Sequence, residues 1–281
     1  MVQTPIDLSL LTGEPPARIA QDVVPGMPTL PYDTIDCPPY REIEQAGGQG
    51  GSAAGATDAW RFNQFMLPVC PGYFGGPRPV RYPCFALSRG GTTWMSLTPM
   101  EIESMLPGIA AASGKVVIGG MGLALAGYAI AMKPEVERVT IVDIDGDVIE
   151  MAKAFAQIDA WPCRDKVEIV HSDLTDHRDA HADFLFVDIW PYYRMDIMVP
   201  QMQAFHRAIP APRCFYWGQE LDAVDRAVAK GTVREAFDAS HFTAFREEIG
   251  VPLIGLEHAI YPTLCQQAAA NPAIRSARVA L

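Results

Sequence analysis

The sequence predicts an α/β fold: a doubly wound, mostly parallel sheet with helices on both faces, preceded by an N-terminal hairpin and a Pro/Gly-rich extension. Three observations carry this. From residue 115 onward, short apolar runs alternate with helical patterns, the rhythm of a parallel sheet. K-V-V-I-G-G-M-G-L (115–123) ends an apolar run in a glycine cluster, and a small-residue helix follows. The next apolar run, V-T-I-V-D-I-D, closes on Asp143 and Asp145.

The elements follow in order. Residues 1–80 carry P-P at 15–16 and 38–39, G-G-Q-G-G at 47–51 and P-G-Y-F-G-G-P-R-P at 71–79. Such punctuation opposes long regular elements. This segment is expected to be an arm or lid, anchored by Trp60, Phe62, Phe65 and Met66. Residues 81–281 form the second part. R-Y-P-C-F-A-L and T-T-W-M-S-L flank the turn cluster S-R-G-G and predict a hairpin over 81–97. Thr98 is placed to N-cap a helix, with Pro99 at its first position and Glu101 completing a capping box. This helix is expected to stop near Met105, ahead of Pro107 and Gly108.

Strands are then predicted at 115–119, 138–143, 167–171, 183–188 and 213–217, and helices at 122–133, 146–158, 196–208 and 220–230. Towards the C-terminus, H-F-T-A-F-R-E-E-I reads as a strand and L-E-H-A-I-Y-P-T-L-C-Q-Q-A-A-A as a helix interrupted at Pro262. In open parallel sheets ligands bind beyond the carboxyl ends of the strands. Function is therefore expected at Gly119–Gly122, Asp143–Asp145, Ser172–Asp173, Asp188–Tyr193 and Gly218–Glu220.

Composition narrows the chemistry. The 281 residues are 49% hydrophobic and 20% charged, as in a globular protein with a proper core. The formal net charge of −11 and a pI near 5.0 argue against nucleic acid, which is bound through clustered Lys and Arg. The six cysteines are scattered without a C-x-x-C pair, so reduced thiols in a cytoplasmic protein are expected, with neither zinc nor a disulfide framework. M-V-Q-T-P-I-D-L lacks the pattern of a signal peptide. Val116–Met132 is broken by glycines and reads as a buried strand and helix, with no membrane span.

The glycine cluster and the acids suit nucleotide binding. Glycines permit backbone angles and close approaches that a Cβ would block. Asp143 lies 23 residues after Gly120, near the separation of roughly twenty at which a strand-end acid meets ribose hydroxyls. A plainer reading stands beside each of these: a tight turn for Gly119–Gly122, a helix cap for Asp145, a turn cap for Asp173, and ordinary packing for Trp190, Tyr192 and Tyr193. His171, His177 and His181 lack a carboxylate spacing that would make them metal ligands. Met195, Met198 and Met202 recur at helical spacing, as a core stripe does.

V-V-I-G-G-M-G, V-T-I-V-D-I-D-G-D-V-I-E-M-A-K, V-E-I-V-H-S-D and D-F-L-F-V-D resemble the successive motifs of class I S-adenosylmethionine-dependent methyltransferases, a Rossmann-like family. The spermidine-synthase-like branch is the nearest in flavour, with its I-G-G signature and a hairpin and T-x-x-E helix before the glycines. The resemblance covers roughly 81–220. It implies S-adenosylmethionine as cofactor. Gly119, Gly120, Met121 and Gly122 would line its methionine part, Asp143 its ribose with Asp145 close by, and Ser172 and Asp173 its adenine. Asp188 would face cofactor and substrate. An ionised carboxylate is a sound acceptor for diol and amine donors.

Two departures from the family pattern stand out. Ile118 occupies a place where many methyltransferases carry an acid. Gly122 and D-I-W-P-Y-Y (188–193) stand where aminopropyltransferases hold amines with acids. The expectation is methyl transfer to a small-molecule acceptor, with Asp188 or Tyr192 as the base and the aromatics of 190–193 as a substrate-side wall. Aminopropyl or other alkyl transfer is one alternative, and a non-catalytic cofactor-binding scaffold another. A nicotinamide enzyme would need G-x-G-x-x-G, and Leu125 stands at the sixth place from Gly120. The arm is expected to act as a lid, or as a strap in a homodimer.

Overall fold

The computed structural model describes Pro38, residues 60–80 and residues 83–275. Most of the expected arm, 1–59, lies outside the described residues apart from Pro38. Its last part forms strand β1 (Trp60–Met66), a regular element where Pro and Gly punctuation predicted none. Two short strands follow, β2 (Val69–Cys70) and β3 (Arg78–Pro79), paired with each other.

The predicted hairpin is present as β4 (Pro83–Arg89) and β5 (Thr92–Ser96). Gly90 and Gly91 turn it with φ of +57° and +83°, the double positive φ of a tight hairpin turn. β1 pairs antiparallel with β4, Trp60 opposite Arg89, giving a three-stranded sheet in the order β1-β4-β5. Trp60 and Phe62 are buried against the core as expected of anchors, whereas Met66 is 61% exposed.

Helix α1 (Pro99–Ala111) is N-capped by Thr98, whose hydroxyl accepts from Glu101 N. It runs six residues past its expected end at Met105, with Pro107 inside it. Lys133, from beyond the next helix, donates to the carbonyls of Ile109, Ala110 and Ala112 at 2.6–2.9 Å. These are the carbonyls a helix end leaves unpaired. Only half of the expected capping box forms: the Glu101 carboxylate turns back to the amide and hydroxyl of Ser96 instead of Thr98 N.

The core is a five-stranded parallel sheet. Its strands are β6 (Gly114–Gly119), β7 (Val136–Asp143), β8 (Val167–His171), β9 (Phe184–Val187) and β10 (Cys214–Tyr216). The order is β10-β9-β6-β7-β8, and every pairing is parallel. From β6 the chain moves outward to β7 and β8, then returns to the other side of β6. That reversal is the mark of a doubly wound sheet. Helices α2 (Leu125–Ala131), α3 (Gly146–Phe155), α4 (Met198–Ala208) and α5 (Gln219–Ala229) fall where the pattern put them. α2 starts three residues late because Ala124 is left-handed, φ +63°, and closes a turn on the Met121 carbonyl. Met198 and Met202 are fully buried, as a core stripe requires.

The C-terminal reading needs correction. H-F-T-A-F-R-E-E-I forms helix α6 (Ala239–Ile249), capped by a box between Asp238 and His241. The β-prone run hid a helical face: Phe242, Phe245 and Ile249, at spacings of three and four, are all buried. Pro262 does not interrupt helix α7 (Tyr261–Ala270) but sits in its first turn, where no amide hydrogen is needed. α8 (Pro272–Arg275) follows. No helix among the described residues is long and apolar enough to cross a membrane.

Candidate active site

The topological switch lies between β6 and β9, and their carboxyl ends meet at atomic contact. Asp188 N donates to Gly119 O at 2.9 Å. Gly120 has φ +98°, and a Cβ there would stand 2.1 Å from the Asp188 carbonyl oxygen. Gly120 N donates to Val142 O at 2.9 Å, tying the loop to β7 as well. The glycine cluster is thus a crossing point of two backbones.

Asp143 closes β7 beneath this loop. One carboxylate oxygen accepts from Met121 N at 2.7 Å and the other from Asp145 N at 2.9 Å. It is half-buried, and burial raises its pKa against the opposing pull of those two amides. Each oxygen keeps a second lone pair for a ligand donor.

Asp145 does two jobs. One oxygen caps α3 by accepting from Asp147 N and Val148 N. The other accepts from Trp60 Nε1 at 2.7 Å and faces Arg89 at 3.5 Å. The Arg89 guanidinium lies 5.2 Å over the Trp60 ring. The three-stranded sheet is therefore latched to the parallel sheet through one carboxylate. Asp145→Ala is expected to cost about 2 kcal/mol, from the lost cap and the lost hydrogen bond of the indole N–H. Urea unfolding followed by tryptophan fluorescence checks this; an unchanged midpoint would show that the latch contributes nothing.

A cleft of about 340 Å³ opens over these groups, within the size range of small-molecule sites. Gly120, Gly122, Asp143, Asp145, Asp173 and Asp188 line it, as does Trp190. The expected positions thus converge on one cleft. Gly119 and Met121 stand in the loop just behind it, and Gly119 packs on Leu174. Ser172 hydrogen-bonds the Asp173 carbonyl, and its amide donates to Asp143 O. Asp173 accepts from the amide and hydroxyl of Thr175, so it caps a turn at the cleft edge. Tyr192 does not line the cleft, and Tyr193 is buried in a stack on Trp217 at 3.9 Å. Trp190 alone of the expected aromatic wall faces the cleft, its Nε1 held by Gln201 at 2.7 Å. Among the described residues no group of three or more His, Cys, Asp or Glu is placed to hold a metal.

Asp188 sits on the floor of the cleft, and burial pushes its carboxyl up to about 7. Glu101 lies close enough to feel that charge; burial and Asp188 together push it up to about 8, against the opposing Ser96 hydrogen bonds. A carboxyl poised near neutrality at a cleft floor is suited to accept a proton.

The opposite wall consists of residues that local sequence reading did not single out for the site: Trp60, Leu87, Arg89, Trp94 and Met95. All come from the three-stranded sheet. Met95 Sδ accepts from Leu123 N at 2.9 Å and lies 2.2 Å from where a Gly122 Cβ would stand. The signal that could have found them is the pairing of β1 with β4, which joins residues such as Trp60 and Arg89 that are distant in sequence.

No family model matches the chain, and no curated protein matches it. Solved structures with similar regions include the methyltransferase domain of bacterial CtHen1, 25% identical over 34% of this chain and 50% of that one, TM-score 0.27. Spermidine synthase from Thermotoga maritima is 19% identical over 55% of this chain and 52% of that one, TM-score 0.36. The mitomycin 7-O-methyltransferase MmcR is 18% identical over 40% and 34%, TM-score 0.30. The chain spans about half the length of the first two. The overlaps are partial, and the fold and the site rest on the chain's own geometry.

Proposed function

We propose that this chain transfers a methyl group from S-adenosylmethionine to a small-molecule acceptor. The observation that carries this is the contact of Asp143 with Met121 N beneath a glycine crossing at the switch point of a parallel sheet. That arrangement offers a backbone-lined cradle at Gly120 and Gly122 and an acid at the adjoining strand end, the two features a ribose-bearing ligand needs. In this reading Gly120 and Gly122 hold the methionine part, Asp143 the ribose diol, and Asp173 the adenine edge. The cofactor supplies an electrophilic methyl group; the chain aligns the acceptor between Asp188 and Trp190, and Asp188 takes the acceptor's proton where one must leave. Positioning of this kind supplies much of the rate in group transfer.

Methyl transfer is favoured over aminopropyl transfer by one contact. The side-chain space of Gly122, where an amine-holding acid would reach the acceptor, is taken by the Met95 thioether. The acidic overall charge supports a small metabolite over nucleic acid. Cys70, Cys84, Cys214 and Cys265 are buried thiols, in keeping with a cytoplasmic protein. We assign 1–80 the role of a lid or of a homodimer strap, with β1 as its anchored end; limited proteolysis within 1–59 that left activity and assembly intact would remove both roles.

Calorimetric titration with S-adenosylmethionine and S-adenosylhomocysteine, beside NAD and decarboxylated S-adenosylmethionine, tests the reading. Wild type is expected to bind the first two in the micromolar range. Asp143→Ala should weaken them by about 2 kcal/mol or more, the cost of losing a charged acceptor for two donors. Preference for the decarboxylated compound would move the assignment to aminopropyl transfer. Binding of NAD alone, or of none, would end it.

A further inference from the structure

One hydrogen-bonding group of the cleft is built into place and left without a use. Gln201 stands in the first half of α4 and lines the cleft. Met198, Met202 and Phe205 anchor that helix in the core. Gln201 Oε1 accepts from Trp190 Nε1 at 2.7 Å. An indole N–H can only donate, so this bond settles which corner of the amide is oxygen and which is nitrogen. Among the described residues no group accepts from Gln201 Nε2. Half-buried donors find a partner as a rule, and the cleft is the space from which one can reach it.

Asp188 is the complementary case. Its amide is spent on Gly119 O, while its carboxylate, on the floor of the same cleft, accepts from no described residue. The surface beside them is Trp190, 3% exposed, its indole held by Gln201 and set edge-on to Tyr216 with centroids 6.0 Å apart. Leu87 and Met95 supply apolar groups on the opposite wall. Such walls favour a flat ring. The cleft therefore holds one open donor, one open acceptor and apolar faces.

Charge narrows the occupant further. The charged side chains lining the cleft are Arg89, Asp143, Asp145, Asp173 and Asp188. The one cation among these described residues, Arg89, already faces Asp145 at 3.5 Å. A carboxylate or phosphate on the ligand would meet like charge without a cation to offset it. An ammonium group would suit Asp188 but has no lone pair for Gln201.

We propose that Gln201, Trp190 and Asp188 form the acceptor subsite, and that it takes a flat, uncharged ring compound with a carbonyl oxygen for Gln201 and an N–H or O–H for Asp188. The role of acceptor rests on the methyl-transfer reading; the match of ligand to side chains does not. In the transfer the N or O gives its proton to the Asp188 carboxylate and its electron pair to the methyl carbon. The carbon–sulfur bond breaks with its electrons on sulfur.

Calorimetric titration of the full chain at pH 7, with and without saturating S-adenosylhomocysteine, tests this with a panel built on one ring system. Oxindole carries both the carbonyl and the N–H, and indole lacks the carbonyl. Tryptamine adds an ammonium group and indoleacetate a carboxylate. Oxindole is expected to bind wild type about tenfold tighter than indole, the worth of one hydrogen bond, and tighter than either charged compound. Gln201→Glu keeps an oxygen for Trp190 Nε1 but replaces the donor with an acceptor, so it should erase the preference for oxindole. Gln201→Met, which fills the space without a donor, serves if the glutamate variant does not fold. Equal binding of oxindole and indole, tighter binding of tryptamine or indoleacetate, or an undiminished preference in a folded variant overturns the proposal. Oxindole binding that depends on Gln201 in a chain that takes no S-adenosylhomocysteine would keep the subsite and end the methyl-transfer reading. Binding of S-adenosylhomocysteine with no preference for oxindole would do the reverse.

Discussion

Gly120→Ala is expected to abolish cofactor binding and to destabilise the fold by about 3 kcal/mol or more. Two costs combine. Alanine at φ +98° leaves the allowed region for an L-residue. Its Cβ would also stand 2.1 Å from the Asp188 carbonyl oxygen. That oxygen cannot simply withdraw, because Asp188 N is hydrogen-bonded to Gly119 O and β9 pairs with both β6 and β10. Relief would require separating the two strands at the place where the cleft is built. Gly91→Ala provides the comparison. Its φ is +83°, yet nothing lies within 4 Å of the added Cβ. It should cost only the conformational part, about 1–2 kcal/mol, and leave binding intact. Denaturant melts and calorimetry on both variants check this; Gly120→Ala binding the cofactor as wild type does would show that the crossing is not the cradle.

Stability is expected to fall as pH rises from about 4 to about 8. Burial pushes Asp222 up to about 6, Asp188 and Glu220 to about 7, and Glu101 to about 8. All four lie above the ordinary carboxylate values of about 4, so between those limits the folded chain holds more protons than the unfolded chain. Stability then decreases with pH, because the unfolded state ionises first. The contribution is fully present below pH 4 and is lost progressively until pH 8. The melting temperature at pH 6 should exceed that at pH 8 by roughly 5 °C or more. Glu101→Gln keeps an acceptor for Ser96 N and should flatten the upper part of this profile. A melting temperature that rises from pH 6 to pH 8 would contradict the burial of these groups. Glu135 and Glu248, whose pKa values are lowered, are surface groups screened by solvent and add little in the other direction.

The parallel sheet was legible because its signals are local. Apolar runs such as V-V-I and F-L-F-V sit between turn residues, and buried strands need little more to be recognised. The glycine cluster, Asp143 and Asp188 were legible for the same reason, since each stands at a strand end. Other features depended on contacts distant in sequence. α6 was misread because H-F-T-A-F is β-prone and its helical face shows only when Ile249 is counted. α1 outran its expected end because three of its last carbonyls are satisfied by a lysine more than twenty residues on. Asp145 drew two readings from the sequence; its cap was predictable, but its bond to Trp60 spans 85 residues.

Lys133 has a bearing on the order in which the molecule holds together. Its ammonium group supplies the positive charge that the last turn of α1 lacks in its own sequence. It can do so only when β6 and α2 have brought residue 133 back beside residue 110. The end of α1 is thus a dependent of the first crossover, though it precedes it in the chain. Chain order and cooperative unit part company here: the helix begins against the hairpin, where Glu101 grips Ser96, and ends as part of the parallel sheet. Any event that opens the first crossover frees three carbonyls at the far end of the helix that carries Glu101, so the sheet and the floor of the cleft share one local stability.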